Sequence, residues 1–330
     1  MIFYENFINQ AIYGKIPYKI DLGEGIKQMP AKADFHLPGL FEFIEFYKAF
    51  LPLYKNHREW FYKWANIASI YGAPADCLWG GGRVGFGQDN ISDVLSLLKE
   101  YEISGRLTFS NSLIQKKHLA DKKCNDLCAL FEKAGNSAGI KNGVIVHSDL
   151  LLEYLEDKFP GLYFVSSTTK VITDFDLLKK ELQRKDFNFV VPDFRFNNQM
   201  EKLCELNGAE KSKMEFLVNE CCWTGCKDRK ICYENVSRKS LGEDCADHIC
   251  KAPGGKEGYL FSKAMENPSF ISGEDIVNRY LPAGFVNFKI EGRSLGSAIL
   301  LEFLLYYLVK PQYHLKVREA IYLDSSLDLF

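Results

Sequence analysis

Residues 143–192 read GVIVHSDLLLEYLEDKFPGLYFVSSTTKVITDFDLLKKELQRKDFNFVVP, and this stretch decides the fold. Its strands are predicted at Gly143–His147, Leu162–Ser166 and Phe187–Pro192, and its helices at Ser148–Lys158 and Asp174–Lys185. In the helical patterns apolar residues recur every three or four positions, as in a helix that packs on a sheet. Strand–helix alternation with short connections predicts parallel strands joined by right-handed crossovers.

The same alternation continues in both directions along the chain. Further strands are predicted at Tyr18–Leu22, Asp76–Trp79, Arg106–Ser110, Met214–Val218 and Phe285–Ile290. Eight strands are the number that closes a (β/α)8 TIM-like barrel, and an open doubly wound sheet is the alternative. We expect a single domain, in which residues 1–74 supply an N-terminal strand and an aromatic helical segment interrupted by Pro52. Residues 75–330 supply the rest of the barrel.

Composition limits the class of protein. The 330 residues are 47% hydrophobic with a formal net charge of −2, so a globular fold is expected and charge does not support nucleic-acid binding. The first ten residues are not typical of a signal peptide, and the longest apolar stretch, around 298–309, contains Glu302 and is too short to span a bilayer. We therefore expect a cytoplasmic protein with no membrane partner. In the cytoplasm ten cysteines favour thiols or metal ligands over disulfides.

Cysteines concentrate in a polar insertion, residues 221–268, after the seventh predicted strand. Six of the ten lie between Cys221 and Cys250. Four thiolates suffice for a [4Fe–4S] cluster or for tetrahedral zinc, and the irregular spacing without a CxxC pair favours the cluster. The predicted metal ligands are Cys222, Cys226 and Cys232, with Cys250 or Cys245 as the fourth. Free thiols in a loop are the alternative interpretation.

Charged and polar residues follow the last predicted strands, where a barrel places its active site. Lys289, Glu291 and Arg293 alternate along the last strand and therefore share a face. A Lys/Glu pair can act as general acid and base, and an arginine can bind a carboxylate or phosphate. The candidate catalytic residues are Lys289, Glu291, Arg293, Glu220 and Asp193, and the candidate cofactor-binding residues are Asn219 and Arg229. An internal ion-pair network and ordinary turn residues are the alternative interpretations.

Two segments resemble one family. They are Phe288-Lys289-Ile290-Glu291-Gly292-Arg293 and the strand end Asn219-Glu220-Cys221-Cys222 with Cys226 following. Together they resemble the collagenase-like (U-thirty-two) peptidases and their diverged TIM-barrel relatives. The resemblance implies a cysteine-rich segment late in the barrel. Some members bind a [4Fe–4S] cluster through four cysteines and support oxygen-independent hydroxylation of RNA or quinone precursors, and others are described as peptidases.

The sequence leaves three functions open. The first is an oxygen-independent hydroxylase that holds an iron–sulfur cluster and acts on a small or carrier-borne substrate, with a redox or family partner protein. The second is a peptidase, although no Cys/His or Ser/His arrangement and no HExxH motif can be identified. The third is a binding protein without catalysis, in which zinc or a cluster holds the insertion together.

Overall fold

The computed structural model describes residues 32–81, 90–255, 260–293 and 295–323. It contains eight parallel strands. They are β1 (Ala33–Pro38), β2 (Ala65–Gly72), β3 (Ser104–Phe109), β4 (Gly143–Val146), β5 (Tyr163–Ser166), β6 (Phe189–Val190), β7 (Glu215–Leu217) and β8 (Asn287–Lys289).

Helices connect the strands and cover the outside of the sheet. They are α1 (Ile44–Asn56), α2 (Ile91–Glu100), α3 (Lys122–Ala138), α4 (Asp149–Lys158), α5 (Phe175–Gln183), α6 (Met200–Cys204), α7 (Gly208–Lys213), α8 (Arg229–Ser240), α9 (Phe261–Glu266), α10 (Gly273–Asp275), α11 (Ser297–Leu308) and α12 (His314–Leu323). Several begin at a side-chain cap. The Ser148 and Asp174 side chains, for example, accept hydrogen bonds from the first turns of α4 and α5. Among the described residues, none of the helices has the combination of length and hydrophobicity that spanning a bilayer requires.

The strands form one nearly closed barrel. Their order is β6-β5-β4-β3-β2-β1-β8-β7, and every neighbouring pair is parallel. A single parallel bridge between Val190 and Met214 spans the remaining gap between β6 and β7. The predicted TIM-like barrel is therefore confirmed. The last strand, β8, pairs with β1, as closure of a barrel requires.

The strands β1 and β2 were not predicted at their observed positions. The segment predicted as a strand at Asp76–Trp79 is a turn, in which Cys77 N–H donates to Pro74 O and Gly80 N–H donates to Cys77 O. The strand β2 lies instead inside the aromatic stretch predicted as helical, because its buried aromatic and aliphatic residues also recur at helical spacing. Helix α1 continues through Pro52 rather than being interrupted by it. The strand predicted at Tyr18–Leu22 lies outside the described residues.

Strand residues alternate between two environments. Outward-facing residues such as Phe216, Val218 and Phe288 pack under the helices in the main hydrophobic core. Inward-facing residues form a second, smaller apolar cluster inside the barrel, made by Tyr71, Ile145, Val165, Val191 and Leu217. This period of two is what places alternate residues of β8 on the inside of the barrel.

Candidate functional site at the carboxyl end of the barrel

A layer of charged side chains lies in the middle of the barrel. Glu215 is fully buried; Arg106 Nη1 lies 2.5 Å from its Oε2, and Lys289 Nζ lies 3.2 Å from its Oε1. His36 Nε2 lies 3.5 Å from the same carboxylate, and His36 Nδ1 hydrogen-bonds Ser69 Oγ at 2.8 Å. The two cations hold the pKa of Glu215 far below its usual range against the opposing effect of burial. Glu215 is therefore the ionised centre of this layer.

An apolar layer separates these charges from the carboxyl end of the strands. In β7 the next inward residue after Glu215 is Leu217, and in β2 the next after Ser69 is Tyr71. Lys289 Nζ lies 3.5 Å from the centre of the Tyr71 ring, and the Tyr71 hydroxyl donates to Ile290 O. Burial lowers the pKa of Lys289 to about 8. The placement of Lys289 favours the internal ion-pair interpretation, and its catalytic role stays a prediction.

His36 should make stability depend on pH. Burial is the main cause that lowers its pKa from 6.5 to about 3, so the folded protein holds the ring neutral where the unfolded chain binds a proton. Stability should therefore fall as pH decreases from 6.5, by about 2 kcal/mol at pH ~5 for this residue alone. Urea unfolding of wild type and His36→Gln at several pH values measures the difference. Parallel curves for the two proteins would exclude His36 as the cause.

Beyond the apolar layer, three of the predicted site residues meet in one network. Arg229, which begins α8, lies 2.7 Å from Glu220 Oε2 through its Nη2 and 3.6 Å from Asp193 Oδ2 through its Nε. All three are buried, with exposed fractions of 5% or less. Arg195 Nε lies 2.9 Å from Asp193 Oδ1. Ion pairs thus join the residues that follow β6 and β7 to the start of helix α8 in the insertion.

Other predicted residues lie around the ends of β7, β8 and β1. The Asn219 side chain donates to Glu291 O at 2.9 Å and accepts from Glu291 N–H at 2.7 Å, which joins β7 to β8. Arg293 Nε donates to Glu42 Oε1 at 2.7 Å, and its Nη2 donates to Ala73 O at 3.2 Å. The Glu42 side chain is fully buried, so the charge of Arg293 is already matched. Binding of an anion by Arg293 stays a prediction.

Helix α8 of the insertion lies across the carboxyl end of the barrel. The Asn111 side chain, just after β3, donates to Ser237 O at 3.1 Å. Ser112 N–H and Ser112 Oγ–H both donate to Ser237 Oγ, at 3.0 and 3.1 Å. Ser237 is fully buried by these contacts. The described part of the insertion is thus a cap over the end of the barrel where TIM-barrel active sites form.

Ser237→Ala should loosen this cap. The change leaves Ser112 N–H without its acceptor in a partly buried position, which costs about 1–2 kcal/mol. The population of the open cap should rise roughly five- to thirty-fold, and limited proteolysis within residues 229–255 should accelerate to the same extent. Ser240→Ala is the matched control, because Ser240 Oγ bonds Val236 O within the same helix. Equal cleavage of both variants would show that Ser237 does not hold the cap.

One of the predicted metal ligands, Cys222, lies just after β7 beside Arg229. The Cys222 thiol interacts with the Arg229 guanidinium and with Cys226. Burial raises the pKa of Cys222 to about 11, Arg229 opposes the shift and Cys226 adds to it. Glu220 Oε1 accepts a hydrogen bond from Cys222 N–H at 3.0 Å, and Asn267 donates to Cys222 O at 2.9 Å. Cys222 is thus held by both ends of the insertion.

The other predicted ligands lie on segments that fold back toward α8. Cys232 is in the first turn of that helix. Asn235, three residues further along α8, has its Nδ2 atom 3.7 Å from Cys245 Sγ. Lys251, next to Cys250, lies 3.0 Å from Asp228 at the start of α8. In the described residues no three His, Cys, Asp or Glu side chains are close enough together to hold a metal ion. The ligand set stays a prediction.

The ion-pair partners of the predicted residues were not predicted from the sequence. Glu215, Arg106 and His36 make the central charged layer, and Glu42 pairs with Arg293. The sequence did mark Glu215, Arg106 and His36, since each is a polar or charged residue inside a short apolar strand segment. Glu42 carried no such signal, because it lies in an aromatic stretch before α1.

The chain is similar in fold to solved structures. The structure of the U32 peptidase Mk0906 matches with a TM-score of 0.49 and 12% identity, covering 83% of this chain and 98% of that one. The crystal structure of the Bacillus cereus spore cortex-lytic enzyme SleL matches with a TM-score of 0.39 and 9% identity, covering 84% of this chain and 75% of that one. No family model and no curated protein matches the sequence. The matches are thus structural, over most of the chain and at low identity.

Proposed function

We propose that the chain is an enzyme whose active site is the carboxyl end of the barrel beneath the cysteine-rich cap. The cap would hold a [4Fe–4S] cluster through Cys222, Cys226, Cys232 and either Cys245 or Cys250. One observation carries the proposal. The cap that bears these five cysteines is attached to the ends of β3, β6 and β7 by Ser237 and Arg229, so a group bound there would face the barrel end.

The thiols of the predicted ligands are suited to binding a soft metal ion such as iron in a sulfide cluster. Each predicted ligand is a free thiol, and thiolates are the ligands of iron–sulfur clusters. The segments that carry Cys245 and Cys250 fold back alongside α8, although the described thiols do not converge on one point. Metal binding would therefore close a site whose backbone is already folded back on itself, and it would stabilise a segment with few apolar residues.

The cluster, Arg229 and Glu291 would each have a different role in the reaction. A bound cluster would supply one-electron transfer. Arg229, with one guanidinium shared between Glu220 and Asp193, places positive charge beside Cys222 and would favour its thiolate. Glu291, which is partly exposed just after β8, is a predicted acid–base group. Oxygen-independent hydroxylation of a small or carrier-borne substrate is the reaction we propose. A C–H bond of the substrate is replaced by a C–O bond to oxygen from water, two protons go to solvent, and the two electrons released go to an oxidised redox partner protein.

Metal analysis of protein purified without oxygen tests this proposal. We expect a brown protein with about four iron and four sulfide per chain. Stoichiometric zinc without iron would refute the cluster and favour a zinc-held cap. Protein with neither metal, in which all six thiols of the insertion react freely with an alkylating agent, would refute the metal site altogether.

A further inference from the structure

A cavity of about 350 Å³ lies between helices α2 and α3, which pack side by side over β3. One face of each helix lines it, since the lining residues recur at spacings of three and four. On α2 they include Ser92, Leu95, Ser96 and Lys99, and on α3 they include Leu130, Lys133 and Ala134. The volume is in the range of pockets that hold small molecules.

The floor of the cavity, made by Leu98, Ile103 and Asn142, has no polar group left to bind a ligand. Leu98 and Ile103 are buried, with exposed fractions of 4% and 5%. The Asn142 side chain donates to Phe131 O and accepts from Gly105 N–H, both at 2.8 Å, so its hydrogen bonds are made within the protein. An aliphatic group is therefore the occupant that this floor favours.

The opening of the cavity carries positive charge. Lys99 and Lys133 lie on its two sides and are both exposed, and none of the described residues that line the cavity is acidic. Lys99 makes no ion pair within the described part of the chain. Leu130 is 40% exposed, so apolar surface reaches from the floor to the opening. A ligand with an apolar body and a single negative charge at one end matches both features.

The volume sets the length of the apolar body. At roughly 30 Å³ for each non-hydrogen atom, which is the volume of a water molecule in the liquid, the cavity holds about twelve such atoms. A ten-carbon carboxylate has this size. A six-carbon carboxylate would leave about a third of the cavity empty.

We infer that this cavity binds a medium-chain fatty acid in its carboxylate form. The chain lies against Leu98 and Ile103, and the carboxylate accepts a hydrogen bond from the Lys99 ammonium group. Ile103 and Asn142 come directly before β3 and β4, so the cavity lies toward the amino ends of these strands, away from the cap. The inference is therefore separate from the proposed function.

Three probes test the size and the charge of the ligand: decanoate, hexanoate and decyltrimethylammonium. Their affinities are measured by isothermal titration calorimetry with the full chain, below the critical micelle concentration of each probe. Wild type should bind decanoate with a roughly submillimolar dissociation constant. Hexanoate should bind at least about tenfold more weakly, because fewer methylene groups leave water. Decyltrimethylammonium should also bind more weakly, because its charge has the same sign as the lysines.

Two variants locate the binding site. Lys99→Glu should lower the ratio of decanoate affinity to decyltrimethylammonium affinity by about tenfold, because it reverses one charge at the opening. Ala134→Leu fills the cavity and should weaken decanoate binding at least about tenfold. Ala129→Leu is the matched control, since Ala129 is exposed on the same helix and does not line the cavity; its affinity should equal that of wild type. Circular dichroism checks the fold of every variant.

Three results would overturn the inference: no binding of decanoate to wild type, an unchanged ratio of the two affinities in Lys99→Glu, or equal decanoate affinity in the two leucine variants. The last would place any binding outside this cavity. None of these measurements depends on iron. Metal-free protein that selects decanoate would support the inference even if the proposed cluster fails, and protein that holds iron but does not bind decanoate would show the reverse.

Discussion

Glu215→Ala is expected to lower the free energy of unfolding by about 3–5 kcal/mol. Glu215 is fully buried and is the carboxylate that Arg106 and Lys289 both contact. Without it two cations face each other in the interior with no counter-ion, and His36 loses its neighbouring charge. Urea unfolding at neutral pH measures the loss, and the slope of the transition shows whether the unfolded state has changed as well.

Glu302→Ala is the matched control. Glu302 also pairs with an arginine, Arg318, at 2.7 Å, but both side chains are about a third exposed. Exposed ion pairs contribute about 0–1 kcal/mol, so this variant should be nearly as stable as wild type. If Glu215→Ala lost no more stability than the control, water would have to reach the middle of the barrel. The conclusion that the charged layer is buried away from water would then be wrong.

Replacing single cysteines of the cap should have the second large effect. Cys222→Ala, Cys226→Ala and Cys232→Ala should each lose most of the bound iron, because a cluster that lacks one of four thiolates is held weakly. Of Cys245→Ala and Cys250→Ala, one should lose iron and the other should keep it, which identifies the fourth ligand. Iron content per chain after anaerobic purification is the measurement. Residues 221–255 should become more sensitive to proteolysis in the same variants.

Cys128→Ala is the control for this series. Cys128 is fully buried in the main hydrophobic core, and it lies on α3 outside the cap. Its loss should leave the iron content unchanged. Equal iron in every variant, or equal loss in Cys128→Ala and Cys222→Ala, would contradict the assignment of ligands to the cap.

The later strands and the position of the site could be predicted from sequence because they depend on local patterns. Segments such as Gly143–His147 and Phe285–Ile290 are short, apolar and bounded by turns, so each contains the observed strand. The carboxyl ends of parallel strands meet at one end of a barrel. The sequence alone therefore predicts that Asp193 and Glu220 lie at the same end of the barrel. In the structure both residues contact Arg229 there.

The remaining features depend on contacts between distant parts of the chain. β2 lies in a stretch whose aromatic residues fit helical spacing, and it becomes a strand because β1 and β3 hydrogen-bond to it. The pairing of Arg293 with Glu42 joins residues 251 positions apart, and no local pattern records it. The same holds for Lys289. Its spacing on β8 predicted that it shares a face with Glu291 and Arg293, but only its contacts with Glu215 and Tyr71 show that this face is the inside of the barrel.

Anomalous X-ray diffraction at the iron absorption edge, from crystals of anaerobically purified protein, tests the proposed cluster most directly. We expect one strong peak within the cap, above the carboxyl end of the barrel. The peak should lie at bonding distance from the sulfurs of Cys222, Cys226, Cys232 and one further cysteine. An iron peak elsewhere in the molecule, or a peak at the zinc edge and none at the iron edge, would contradict it.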